Sequence, residues 1–228
     1  MNSYTLHYAP DNASLIIRLA LEALGQPYRT VLVDRKTAAH TSPPYLKLNP
    51  HGLIPVLDGP DGPIFETAAI LLWLADRHEG LGPQADSSQR ADFLKWLFFI
   101  SNTVHTALRM TFYPEKYAGA DPTHQAALRA TMQDALKRHL TALDARAAQE
   151  PFALAIQLYL GPLLRWSVLY PVHKDQDWFN LDDYPHLKQM CLTLDTLPCT
   201  AAAQTAEGLG PTPFSAPRYA TPPQGSAT

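Results

Sequence analysis

The sequence predicts an α/β unit over residues 1–80 joined to an all-α unit, a helical bundle, over residues 89–200. Two observations predict the division. Short runs rich in β-branched and aromatic residues alternate with helical patterns as far as Gly80, whereas beyond Ser88 only long apolar stripes at helical spacing remain. A third observation sets off residues 201–228, a Pro/Ala-rich tail with five prolines and two charged residues. With so little to bury, this tail is expected to be mobile or to lie across the surface.

Tyr4 to Tyr8 reads as a strand, broken by Pro10-Asp11-Asn12, residue types that favour turns and helix starts. From Ser14 onward Leu15, Ile16, Leu19, Ala20 and Ala23 recur at helical spacing, and Gly25 with Pro27 stops the pattern. Tyr28 to Val33 is a second strand. Ile54 to Leu57 is a third, with Pro55 at its start, where a missing N–H is tolerated. Pro60 to Pro63 is turn chemistry, Ile64-Phe65 a brief strand, and Thr67 to His78 an apolar helix ending near Gly80. In the second unit Ala91 to Met110 forms one long helix and Leu128, Met132, Leu136, Leu140 and Leu143 stripe another. Leu154 to Leu169 is an apolar third, with a kink expected at Gly161-Pro162, and Pro185 to Leu197 closes the set.

Composition narrows the function. With 46% hydrophobic and 17% charged residues, the 228-residue chain can bury a sizeable core. A formal net charge of −3 without a Lys/Arg run argues against nucleic acid as a partner, and no apolar run reaches the ~18 residues of a membrane span. Met1 to Tyr8 lacks the basic and apolar regions of a signal peptide. Cys191 and Cys199 stand in no metal or redox spacing, so a reducing, cytoplasmic setting is expected. The nine histidines are scattered, and no metal site is expected.

The chemistry concentrates in two stretches, Asn49-Pro50-His51-Gly52-Leu53-Ile54-Pro55-Val56-Leu57 and Phe65-Glu66-Thr67-Ala68-Ala69-Ile70. Glu66 and Thr67 open a helix, where free N–H groups and the helix dipole favour a carboxylate while Glu66 can accept from an ammonium. The alternative is a capping threonine beside a solvated glutamate. At this spacing the two stretches resemble the glutathione transferase family, with bacterial beta-like and theta-like features, over roughly residues 1–200. That resemblance implies a thioredoxin-like N-terminal domain, a helical-bundle C-terminal domain, glutathione as co-substrate, a small electrophile as second substrate and a homodimer. It also implies a cis Ile54–Pro55 bond that turns the Ile54 backbone toward the cysteinyl backbone of the ligand. His40 matches in spacing a histidine that holds the glycine carboxylate in some branches. At Leu53 many relatives have a Gln or Lys donor that is absent here.

Catalysis in the family depends on a donor to the thiol at the start of the first helix. Ala13 occupies the usual position and offers none, which leaves Ser14 as first choice and Asn12 as alternative, although both also suit a capping role. Trp96 to Ile100 followed by His105 resembles the beta-type transferases, where a histidine lines the active site, so His105 is the third catalytic residue expected. Met110, Phe112, Tyr113 and Tyr117 could form the apolar wall of a second-substrate pocket or simply core, and most of them are read as core. At Leu154-Ala155-Ile156-Gln157 the family's S/T-x-x-D capping box is missing. The implied activity is conjugation of glutathione's thiol to an electrophile. The rivals are a glutathione-dependent disulfide or peroxide reductase and a non-catalytic binding module.

Overall fold

The structure, a computed structural model, describes residues 4–171 and 176–227. Strand β1 (Tyr4–Tyr8) leads through helix α1 (Ser14–Ala23) to β2 (Tyr28–Leu32), then past a short helix α2 (Pro43–Leu46) to β3 (Val56–Gly59), β4 (Gly62–Phe65) and helix α3 (Thr67–Arg77). The sheet order is β2-β1-β3-β4. β1 runs parallel to β2, with Leu6 beside Thr30, and antiparallel to β3, with Leu6 beside Leu57. This is the thioredoxin-like arrangement. β3 begins two residues later than the alternation suggested, because Pro55 follows a cis bond from Ile54 and has no N–H for the ladder.

Helix α1 is buried all round from Ser14 to Leu21. Leu15, Ile16, Ile17, Leu19, Ala20 and Leu21 are all fully buried, because α3, α8 (Leu154–Leu169) and α10 (Pro198–Glu207) surround the helix. At about 1.5–3 kcal/mol per buried leucine or isoleucine, packing rather than helix propensity fixes its place. The opposite face of the sheet is covered more thinly, by Val33, Tyr45 and Val56 with Leu48 and Phe65 against them.

Beyond residue 80 the chain is helical. The long helix expected from Ala91 is three segments in line: α4 (Arg90–Phe99), a π-helical turn (Ile100–His105) and α5 (Thr106–Phe112). After α6 (Glu115–Ala118) comes α7 (Pro122–Ala147), whose stripe of Leu136, Leu140 and Leu143 is buried. α8 runs continuously through Pro162. Its missing capping box is replaced from the segment that joins the two units, since the Ala155 N–H donates to the Leu81 carbonyl at 2.8 Å. α9 (Pro185–Asp195) packs on α8 at Gly161, where a side chain would run into Leu194. One continuous core joins the two halves.

The tail is a packed part of the fold, contrary to the expectation from its composition. α10 continues to Glu207, and Gly208, in the left-handed region at φ 64°, turns the chain back so tightly that any Cβ would clash with the Thr221 carbonyl. Leu209 and Phe214 are fully buried. Asp195 accepts hydrogen bonds from the backbone of Phe214 and Ser215, and Arg165 donates to the carbonyls of Leu209, Pro213 and Arg218. A proline-rich segment has few N–H groups to satisfy, so a single buried guanidinium meets much of its remaining backbone need. Among the described residues no helix is long and apolar enough to cross a membrane, and no group of three or more His, Cys, Asp or Glu stands together.

Candidate active site

A cavity of about 630 Å³ opens between the end of the sheet and the helical wall. Its first-domain side is built by the Asn-Pro motif. Asn49 Nδ2 and the Tyr45 hydroxyl both donate to the Leu53 carbonyl at 2.8 Å, and Asn49 Oδ1 accepts from the His51 N–H. These bonds fix the peptide that leads into Ile54–Pro55. Gly52 has a φ of 61°, and a Cβ there would lie 3.0 Å from the His40 carbonyl, so glycine lets the His40 loop close against this strand. Ile54, Pro55, Leu53 and His40 all line the cavity.

Glu66 and Thr67 line it too. Glu66 holds a φ of 71°, unusual for a residue with a Cβ, while its carbonyl accepts the first bond of α3 from Ile70. The conformation sets Glu66 at the positive end of an 11-residue helix. In the same cavity lining, Arg35 Nη1 and His40 Nδ1 are buried without a hydrogen-bond partner among the described residues. Buried polar nitrogens are nearly always paired; Arg35 Nη1 can only donate, whereas the role of His40 Nδ1 follows the tautomer. Arg35 had no motif in the sequence to single it out.

The first turn of α1 corrects the order of the thiol donors. Ser14 is fully buried and is not a cavity residue. Its hydroxyl donates to the Ala9 carbonyl at 3.0 Å and accepts from the Ala9 N–H at 3.2 Å, which ties the helix back to the end of β1. Asn12 does line the cavity. Its Oδ1 accepts from the Ala13 N–H at 2.7 Å, which leaves the Nδ2 amide hydrogens as the unspent donors.

Beside Asn12 stands an acid that sequence reasoning read only as a turn residue. The Asp11 carboxylate accepts two bonds from Arg165, at 2.8 and 2.9 Å, a third from Trp166 Nε1 and a fourth from the Tyr170 hydroxyl. Its backbone N–H donates to Glu207, which also pairs with Arg18 at 2.7 Å. The loop carrying Asn12 is thereby clamped to α8 and α10. Arg165 lies 154 residues away in sequence, and no local signal links the two.

His105 faces the cavity from the π-helical turn, its Nδ1 3.0 Å from the Tyr159 hydroxyl and its ring against Trp166. Burial, with a smaller contribution from the Arg109 charge, pushes its pKa down to about 4, so the ring is neutral at pH 7. The unfolded chain binds this proton near pH ~6.5, so the contribution opposes folding progressively as pH falls from ~6.5 to about 4 and vanishes above that window. Stability is expected to fall by about 2 kcal/mol on this account between about pH 7 and pH 4.5. Urea titrations of the parent and His105→Gln proteins check it: the variant should lose that part of the slope, and parallel curves would contradict the assignment.

Of the four residues read as pocket wall or core, with core favoured for most, Phe112, Tyr113 and Tyr117 line the cavity together with Arg109 and Lys116, and Met110 does not.

Residues 2–76 match the sequence model of the glutathione S-transferase N-terminal domain. A maleylacetoacetate isomerase of Rhizobium meliloti is 31% identical over 138 residues, covering 60% of this chain and 64% of the isomerase, just under two thirds of that relative's length. A sphingomonad glutathione S-transferase solved with glutathione is 28% identical, with a TM-score of 0.73 over 90% of this chain and 100% of the other. A glutathione transferase homologue from sulfitobacter, also with bound glutathione, superposes with a TM-score of 0.76 over 90% of this chain and 98% of the other at 24% identity. Over residues 2–76 the chain matches the glutathione S-transferase N-terminal domain, and over 90% of its length it is similar in fold to solved glutathione transferases.

Proposed function

We propose that the protein is a glutathione transferase that joins the thiol of glutathione to a small electrophile. The observation that carries this reading is that two sets of recognition groups line one cavity. Glu66 and Thr67 at the start of α3 suit the α-ammonium and α-carboxylate of a γ-glutamyl group, and the unpartnered Arg35 and His40 suit the glycine carboxylate. Arg35 thus makes up for the donor missing at Leu53. Between the two ends, Ile54 offers its backbone to the cysteinyl unit.

The thiol then faces the first turn of α1. A thiol of pKa ~8.5 is a poor nucleophile near neutrality until its thiolate is stabilised. In this reading Asn12 Nδ2 donates to the sulfur and neutral His105 adds polarity from the helical wall. Proximity of thiolate and electrophile in the enclosed cavity supplies the remaining advantage. The same reading includes a homodimer formed through the outer faces of α3 and α4, where Phe98 is 47% exposed; a light-scattering mass near that of one chain would remove that part. Cys191 and Cys199 are buried and outside the cavity, so disulfide or peroxide reduction there would run on glutathione's own thiol.

Calorimetry with glutathione, followed by turnover of 1-chloro-2,4-dinitrobenzene, tests the proposal. Saturable binding with turnover above the uncatalysed rate is the expected result. Binding without turnover of any aryl halide favours the non-catalytic module, and no binding overturns the reading.

A further inference from the structure

The helical wall of the cavity carries two cations that no acid among the described residues pairs with. Arg109 and Lys116 both line it, and among the described residues neither side chain forms an ion pair. Of the two acids lining the same cavity, Asp11 is neutralised by Arg165, which is not itself a cavity residue, and Glu66, at the start of α3, forms no ion pair with either cation.

On the proposed glutathione site, the tripeptide accounts for Arg35, Glu66 and the α3 N-terminus, and its thiolate brings a single negative charge to the helical side. Two cations face that one charge, and the thiolate charge is spent once the carbon–sulfur bond forms. The surroundings of Lys116 are aromatic. Lys116 Nζ lies 4.5 Å from the Tyr113 ring centroid, and Phe112 packs edge-on against both Tyr113 and Tyr170. An aromatic shelf beside a guanidinium and an ammonium matches a planar conjugated group bearing a carboxylate.

We infer that the second substrate is an anionic, conjugated electrophile whose carboxylate is held by Arg109 and Lys116 while its ring or π-system lies on Tyr113. This rests on the transferase reading above. With the probe 4-chloro-3,5-dinitrobenzoate, the thiolate sulfur bonds to the chlorine-bearing carbon and chloride leaves with the electron pair of its bond. The thiol proton passes to solvent, and the carboxylate stays in place.

The experiment measures binding of two synthetic conjugates, glutathione S-linked to the 4-carboxy-2,6-dinitrophenyl group and to its carboxamide. The full-length parent, Arg109→Gln and Lys116→Gln proteins are compared by calorimetry. The carboxamide conjugate serves in each protein as the internal reference for folding and for the glutathione half. The parent is expected to bind the carboxylate about ten-fold or more tightly than the carboxamide, with the preference reduced to about three-fold or less in Arg109→Gln. Salt at about 0.5 M should narrow the gap, since the cations are partly exposed. Equal affinities in the parent, or a preference that survives both substitutions, overturn the inference. If glutathione itself binds, that failure leaves the transferase reading intact; if glutathione does not bind, both fall together.

Discussion

Replacing Asp11 with alanine is expected to lower the unfolding free energy by about 3–5 kcal/mol, the usual cost of leaving one member of a buried ion pair alone. The Arg165 side chain is fully buried, and its guanidinium would keep only backbone carbonyls as acceptors. Trp166 Nε1 and the Tyr170 hydroxyl would each lose the bond to Asp11 as well. In a chain of this size the midpoint of thermal unfolding should fall by roughly 2–4 °C per kcal/mol. Chemical denaturation of Asp11→Ala, Arg165→Met and the double variant checks the account. The double variant should lose clearly less than the sum of the two single losses, because it strands no charge. A loss below about 1 kcal/mol in Asp11→Ala would show that the clamp contributes little.

Glutathione affinity is expected to fall by about 1.5–3 kcal/mol in Glu66→Ala, which is roughly a 10–150-fold rise in Kd, if Glu66 holds the α-ammonium through a charge-assisted bond. Glu66→Gln keeps the size of the side chain and removes its charge, so it should lie between parent and alanine variant. The strained backbone at Glu66 makes this second variant useful, since loss through altered geometry would separate it from loss through charge. Calorimetry at constant ionic strength reads both. Affinity unchanged in Glu66→Ala would remove the γ-glutamyl assignment.

What the sequence made legible follows the range of each interaction. The α/β order of the first unit is local: the stripe from Leu15 to Ala23 and the turn residues at 60–63 each act within a few positions, and the helix and hairpin form where they predict. The cavity residues Ile54, Glu66 and Thr67 were also local, since a glycine turn, a proline and a helix start mark them. The choice between Asn12 and Ser14 was not. Helix starts are uncertain by a residue or two, and one residue rotates a side chain by about 100°, enough to send the Ser14 hydroxyl to Ala9 instead of the cavity.

The clamp and the tail were hidden for a different reason. Asp11 and Arg165 read separately as a turn residue and as a lone cation in an apolar helix; only the packed fold joins them. In the tail, Leu209 and Phe214 are two apolar residues among prolines, too few to outweigh its composition, yet both are fully buried and Phe214 packs at Gly161 of α8. Arg35 was invisible because a single arginine after a strand carries no pattern. Its significance is a buried nitrogen without an acceptor, which is a property of the fold alone.

The claim that glutathione is activated at the first turn of α1 is tested most directly by titrating the thiolate absorbance of bound glutathione in the parent, Asn12→Ala and Ser14→Ala proteins. A free thiol titrates near ~8.5, and the account predicts a bound value lower by about one unit or more in the parent. In Asn12→Ala the bound value should climb back toward that of the free thiol, while Ser14→Ala, whose hydroxyl is engaged with Ala9, should leave the bound value close to the parent's. A bound thiol that titrates like free glutathione in the parent, or one raised by Ser14→Ala and untouched by Asn12→Ala, would contradict the account.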